Sequence, residues 1–133
     1  MNTKAKGTNA ERELLHKFWS KNWACIRVAG SGSQKYPSPD LIVGNKIRKL
    51  GIECKISSNN IIYLESKEVK ELDEFCYIFG LEPWVAVRFK DKIWKFLSLE
   101  DLKTTNKNFK VDLDVCRLKG VLFEELTSSY PKE

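Results

Sequence analysis

The sequence predicts an α/β fold, and three observations carry that expectation. An amphipathic helical pattern opens the chain, short runs of branched and aromatic residues bounded by Gly and Pro follow, and a second amphipathic helix begins at Ser66. With 133 residues, 42% hydrophobic and 31% charged, 1–133 reads as a single domain with one core. No apolar run is long enough to span a bilayer, and no hydrophobic segment stands behind the N-terminal charges. An intracellular protein with no membrane partner is therefore expected.

Residues 1–7 are read as a mobile basic arm that includes Lys4 and Lys6. Thr8-Asn9-Ala10-Glu11 has the S/T-x-x-E pattern of a helix start, and helical signals run to about Asn22. Glu11 shares the apolar stripe of Leu14, Leu15 and Phe18. Its carboxylate is either the reciprocal partner of a Thr8 capping box or a group turned towards a site. Glu13 groups with Lys17, Ser20 and Lys21 and reads as solvated. His16, the only histidine, lies off the stripe with no partner and reads the same way.

Trp23 to Ala29 is the first expected strand, in which Arg27 interrupts an apolar run and marks an exposed face or a phosphate contact. The loop from Gly30 to Ser38 follows. Its glycines and serines permit close backbone approach to a phosphate and Lys35 adds charge, although a plain flexible linker has the same composition. The loop lacks the G-K-[ST] of a Walker A segment and the third Gly of a dinucleotide fingerprint.

Pro39 to Lys55 carries the densest chemistry. Pro39-Asp40-Leu41-Ile42-Val43-Gly44 and Gly51-Ile52-Glu53-Cys54-Lys55-Ile56 read as two short strands joined by a basic turn. Alternation places Ile52, Cys54 and Ile56 on one face and Glu53 and Lys55 on the other. Asp40, at the start of the preceding strand, can join that second face. Two carboxylates suit a hard cation such as Mg²⁺, and a neighbouring lysine can orient or deprotonate a water or balance negative charge. An edge strand with a solvated Glu and Lys is the plainer alternative; the Pro-Asp step and the apolar setting of the E-x-K weigh against it.

Ile61 to Leu64 reads as a further strand, and the helix from Ser66 aligns Val69, Leu72, Phe75, Cys76 and Phe79 as core residues, with Gly80 as its stop. Trp84 to Lys90 and Lys92 to Leu99 read as a hairpin; Trp84, Trp94 and Phe96 suit base stacking or a subunit interface, but burial in the core is the commoner fate of such residues. A polar connection over Lys103 to Asn108 precedes a strand over Phe109 to Val115. A short helix over Gly120 to Leu126 and a frayed tail over 127–133 complete the pattern. Cys25, Cys54, Cys76 and Cys116 form no C-x-x-C pair and read as reduced core residues rather than zinc ligands.

The net charge of +5 is uneven. Residues 1–55 hold 11 Lys/Arg against 4 Asp/Glu, or +7, while residues 56–133 hold 12 against 14, or −2. Cations concentrated beside a carboxylate pair point to a polyanion, with phosphodiesters the obvious candidate. Solubility alone accounts for many basic proteins.

Taken together, Lys6-Gly7-x3-Glu11-Arg12-Glu13-Leu14, Arg27-Val28-Ala29-Gly30-Ser31-Gly32-Ser33, Pro39-Asp40 and Glu53-x-Lys55 resemble the archaeal-type Holliday junction resolvases of the PD-(D/E)xK nuclease superfamily. The resemblance is continuous from about Lys6 to Lys55; beyond Ser57 it rests on element order. It implies a central mixed sheet flanked by helices, as in restriction endonucleases. It also implies a homodimer that binds a four-way DNA junction and makes paired Mg²⁺-dependent cuts, with Mn²⁺ able to substitute, in recombination and repair.

Residue by residue, the resemblance makes Asp40 and Glu53 metal ligands, with the Cys54 carbonyl as a third. Glu11 becomes the helix-borne carboxylate of the site, counted with the catalytic and the metal residues, Lys55 the catalytic lysine and Ser31 a loop serine of the cleavage reaction. Lys6, Arg12, Arg27, Ser33 and Lys35 join Ser31 as DNA contacts. A restriction-like or repair nuclease of the same fold acting on duplex or flap DNA would share Asp40, Glu53 and Lys55. An architectural DNA-binding module or a purely structural domain would not need them.

Overall fold

The computed structural model describes residues 3–30 and 35–128. Helix α1 (Thr3–Ser20) is followed by β1 (Ala24–Arg27), β2 (Leu41–Gly44), β3 (Lys49–Ile56) and β4 (Ile61–Leu64). Helix α2 (Ser66–Phe79) leads into β5 (Glu82–Arg88) and β6 (Trp94–Ser98). After a 3-10 turn (Leu99–Asp101) come β7 (Lys103–Thr104), β8 (Phe109–Asp112), α3 (Leu113–Lys119), β9 (Val121–Leu122) and α4 (Phe123–Thr127). The main sheet has the order β1-β2-β3-β5-β6-β9, and β4, β8 and β7 form a smaller one. Only β3 and β5 pair in parallel within the main sheet. A parallel pair needs a crossover, and α2 supplies it.

Alternation along the strands divides the apolar residues between two layers. Leu50 and Ile52 of β3, Ala86 of β5 and Phe96 of β6 face the layer of Ala10, Leu14 and Phe18 from α1. Val85 and Val87 of β5 and Leu97 of β6 face the layer of Val69, Leu72 and Cys76 from α2. Cys54 and Ile56 pack against the α1 layer, so Glu53 and Lys55 turn to the α2 side, as the strand alternation predicts. Gly51 lies on that side too. A Cβ there would stand 2.5 Å from Cys76 Sγ, so the missing side chain lets α2 seat close against β3.

Several expectations are corrected. The arm read over residues 1–7 is helical from Thr3 onward, so Thr8 is an interior residue of α1 and the Thr8–Glu11 capping box does not form. The helix stops at Ser20 because Asn22 takes a left-handed conformation, φ 66°. The strand expected over Phe109 to Val115 ends at Asp112, whose side chain accepts from the Val115 N–H at 2.9 Å and caps α3. The helix expected from Gly120 begins with the strand Val121–Leu122, and Lys103–Thr104 of the polar connection pairs with β8. Trp94 and Phe96 are buried as expected, whereas Trp84 is only partly so. Phe79 is 56% exposed and belongs to the surface. All four cysteines are free thiols. No described helix is long and apolar enough to cross a membrane.

Candidate active site

Asp40 stands one residue before β2, where its own backbone is held twice. Its N–H donates to Ile52 O at 3.0 Å, and its carbonyl accepts from the Val28 N–H at 2.8 Å. Asp40 Oδ2 then accepts from the Cys54 N–H at 2.8 Å. That bond pins the carboxylate against β3 between Glu53 and Lys55. In a strand, the N–H and C=O of one residue point to the same edge, so the Cys54 carbonyl faces the Asp40 side.

Glu53 is crowded by charge. Burial, and next the Asp40 carboxylate, push its carboxyl up to about 8, with Lys55 pulling in the opposite direction. Lys55 donates to Glu68 Oε2 at 2.6 Å. Burial pulls the Lys55 ammonium down, but the Glu68 bond and the neighbouring carboxylates outweigh it and hold the proton more tightly than usual. Asp40, Glu53, Cys54 and Lys55 floor a cleft of about 560 Å³, walled by Glu65, Lys67, Glu68 and Glu71 from the α2 side. Lys35, Tyr36, Pro37 and Ser38 line the opposite wall.

Glu11 approaches from the other layer. Arg27 Nε donates to Glu11 Oε1 at 2.8 Å, with side-chain exposures of 21% and 18%. Burial and the Asp40 charge raise the Glu11 carboxyl despite Arg27, so Glu11 lies within electrostatic reach of Asp40. It does not line the cleft. Arg27, read as marking an exposed face or a phosphate contact, is half-buried and engaged with Glu11.

Among the described residues no group of three or more His, Cys, Asp or Glu side chains is arranged to hold a metal ion. The donor chemistry nonetheless fits a hard cation. Asp40 and Glu53 offer oxygen, the Cys54 carbonyl faces the same side, and a divalent charge would offset the burial and the Asp40 repulsion that raise the Glu53 carboxyl. Mg²⁺ retains several waters and needs few carboxylates.

Arg12 is exposed on α1, and Lys6 lines a separate cleft with Ser57, Asn59, Arg88, Lys90 and Lys92. Ser31 and Ser33 lie outside the described residues. Glu13, read as solvated, is 56% exposed yet pairs with Arg88 at 2.7 Å. Sequence reasoning missed Glu68, which bonds Lys55, and gave no sign that Lys90 and Lys92 of the β5–β6 turn share a cleft with Lys6. Glu68 leaves a local signal, a carboxylate three residues beyond Glu65 at a helix start, but its bond to Lys55 spans 13 positions and has no sequence signature.

The family model described as "Archaeal holliday junction resolvase (hjc)" matches residues 2–132. The chain belongs to this family. It is 40% identical over 129 residues to the crossover junction endodeoxyribonuclease Hjc of Archaeoglobus fulgidus, covering 92% of this chain and 95% of the relative. The Hjc of Methanocaldococcus jannaschii is 36% identical over 107 residues, covering 80% and 76% respectively. A crystal structure of the A. fulgidus protein, a Holliday junction resolvase, superposes with a TM-score of 0.86 at 38% identity, covering 92% of this chain and all of that one. The mixed sheet flanked by helices is therefore the archaeal resolvase fold. Because the family match continues to residue 132, it includes the C-terminal half, where motif resemblance had stopped at Ser57.

Proposed function

We propose that this chain resolves four-way DNA junctions, acting as a homodimer that hydrolyses one phosphodiester in each of two opposing strands with Mg²⁺. The observation that carries the reading is the convergence of Asp40, Glu53 and Lys55 at the floor of one cleft in a chain of the archaeal resolvase family. Asp40, Glu53 and the Cys54 carbonyl would hold the cation. When bound, a divalent cation supplies an activated water and neutralises charge at the scissile phosphate.

The chain's own residues provide the remainder. The Cys54 N–H and the Asp40 backbone bonds keep the Asp40 carboxylate aimed at its neighbour before substrate arrives. Lys55, held as an ammonium, stabilises charge on the phosphate oxygens and is disfavoured as a base. Arg27 keeps Glu11 oriented behind Asp40. Lys35 on the cleft wall, with Lys6, Arg12, Ser31 and Ser33, makes salt-sensitive contacts to the DNA backbone.

The homodimer has an apolar surface to use. Phe75 and Phe79 stack at 5.5 Å on α2, beside Ile78, which is 75% exposed. Two clefts related by a two-fold axis would match the pairwise symmetry of a junction.

Cleavage of a labelled four-way junction, set against linear duplex of the same sequence with Mg²⁺ and with chelator, tests the reading. Paired cuts confined to the junction and abolished by chelator are expected. Equal cutting of both DNAs would assign the chain to a general nuclease role, and binding without cutting would remove catalysis from the cleft.

A further inference from the structure

Glu68 belongs to none of the motifs, yet both of its carboxylate oxygens are committed. Oε2 accepts from the Lys55 ammonium at 2.6 Å, and Oε1 accepts from the Glu65 N–H at the first turn of α2 at 3.0 Å. One side chain thus ties the start of α2 to the E-x-K strand. Lysine has a long, flexible stem and a strand position alone does not fix its charged end. Here the end is fixed by an acceptor that is itself anchored to a helix terminus.

The backbone supports the same link. Gly51 lets α2 seat against β3 close to Cys76, two residues before Glu53 on the same face of the strand. Leu72 and Cys76, buried one and two turns beyond Glu68, press that helix onto the sheet. Glu65 and Glu71 also line the cleft, but Glu68 is the carboxylate seen bonded to Lys55 among the described residues.

We infer that Glu68 is a positioning residue for cleavage, which holds the Lys55 ammonium at the Asp40–Glu53 end of the cleft while its bond to the Glu65 N–H keeps the holder in place. The inference rests on the assignment of Lys55 as the cation that meets the scissile phosphate. Glu68 itself touches no DNA; it removes the conformational search that Lys55 would otherwise make in each turnover.

Glutamine separates the two jobs of this side chain. Glu68→Gln keeps an oxygen for the Glu65 N–H, as glutamine does in capping boxes, but withdraws the charge that holds Lys55. The test is single-turnover cleavage of a labelled four-way junction in Mg²⁺ by the full chain and by Glu68→Gln, with junction affinity measured in Ca²⁺ and the thermal midpoint in the same buffer. The expected result is a cleavage rate lower by about 10-fold, with affinity changed by less than about two-fold and the midpoint held.

A Glu68→Gln protein that cleaves at the unaltered rate overturns the inference and leaves Glu68 as a helix cap. So does a rate loss matched by an equal loss of affinity, or one accompanied by a fall in midpoint. Failure of the unaltered chain to cleave with Mg²⁺ overturns the nuclease reading and this inference with it, and is seen before any variant is compared.

Discussion

The Cys54 backbone N–H donates to the Asp40 carboxylate at 2.8 Å, which makes the E-x-K strand the anchor of the neighbouring strand's acid. Removing that acceptor leaves a part-buried N–H unpaired. Asp40→Ala is expected to abolish junction cleavage while junction binding persists, and to cost about 1–3 kcal/mol of stability. Asp40→Asn keeps a carbonyl acceptor for the amide and should recover most of the stability with none of the activity. Denaturant melts and gel-shift titrations check both variants; loss of binding together with cleavage would make Asp40 structural.

Glu53 should destabilise the metal-free protein. Its folded carboxyl is raised to about 8 by burial and by Asp40, whereas an unfolded glutamate titrates near its ordinary 4.5. Between those values the folded state binds more protons than the unfolded state, so stability falls as pH rises through that window. Calorimetry in chelator is expected to show this decline in the unaltered chain and a shallower one in Glu53→Gln. The variant should melt higher than the unaltered chain at pH 8 and should not cleave.

Arg27 and Glu11 form a part-buried pair at 2.8 Å across the α1–β1 junction. Arg27→Met leaves the Glu11 carboxylate without its counter-charge, at an expected cost of about 1–2 kcal/mol after allowance for solvent screening. Adding Glu11→Gln should restore part of that loss. Thermal melts of the two single variants and the double variant measure the coupling; strict additivity would show that the pair contributes nothing.

The exposed face of α2 gives a separate prediction about assembly. An Ile78→Asp, Phe79→Asp double variant should sediment as a monomer and stay folded, because both side chains are largely outside the core, with a melting temperature that no longer rises with protein concentration. Its cuts in opposing strands of a junction should become uncoupled. A variant that remains dimeric would move the interface elsewhere.

The site was legible where chemistry is local to a strand. Asp40, Glu53 and Lys55 share a short segment, and two-residue alternation is enough to place Glu53 and Lys55 on one face and Ile52 and Cys54 on the other. The two amphipathic helices and the β5–β6 hairpin were legible for the same reason. What escaped was set by distant partners. Thr8 to Glu11 has a capping-box pattern, but helical turns before Thr8 leave no helix end there to cap, and Glu11 turns to Arg27. Phe79 continues the periodic stripe of α2 past the edge of the core, so its period predicts burial that the fold does not supply. Phe109 to Val115 alternates throughout, yet the Asp112 cap ends the strand halfway.

The central claim is that the Asp40–Glu53 cleft performs metal-dependent junction cleavage, and its most direct test is the rate of paired cutting of a labelled four-way junction in Mg²⁺ with excess unlabelled linear duplex present. The unaltered chain is expected to cut the junction despite the competitor, and Glu53→Gln to bind it without cutting. A Glu53→Gln protein that cuts at the unaltered rate, or an unaltered chain silenced by linear duplex, would contradict the account.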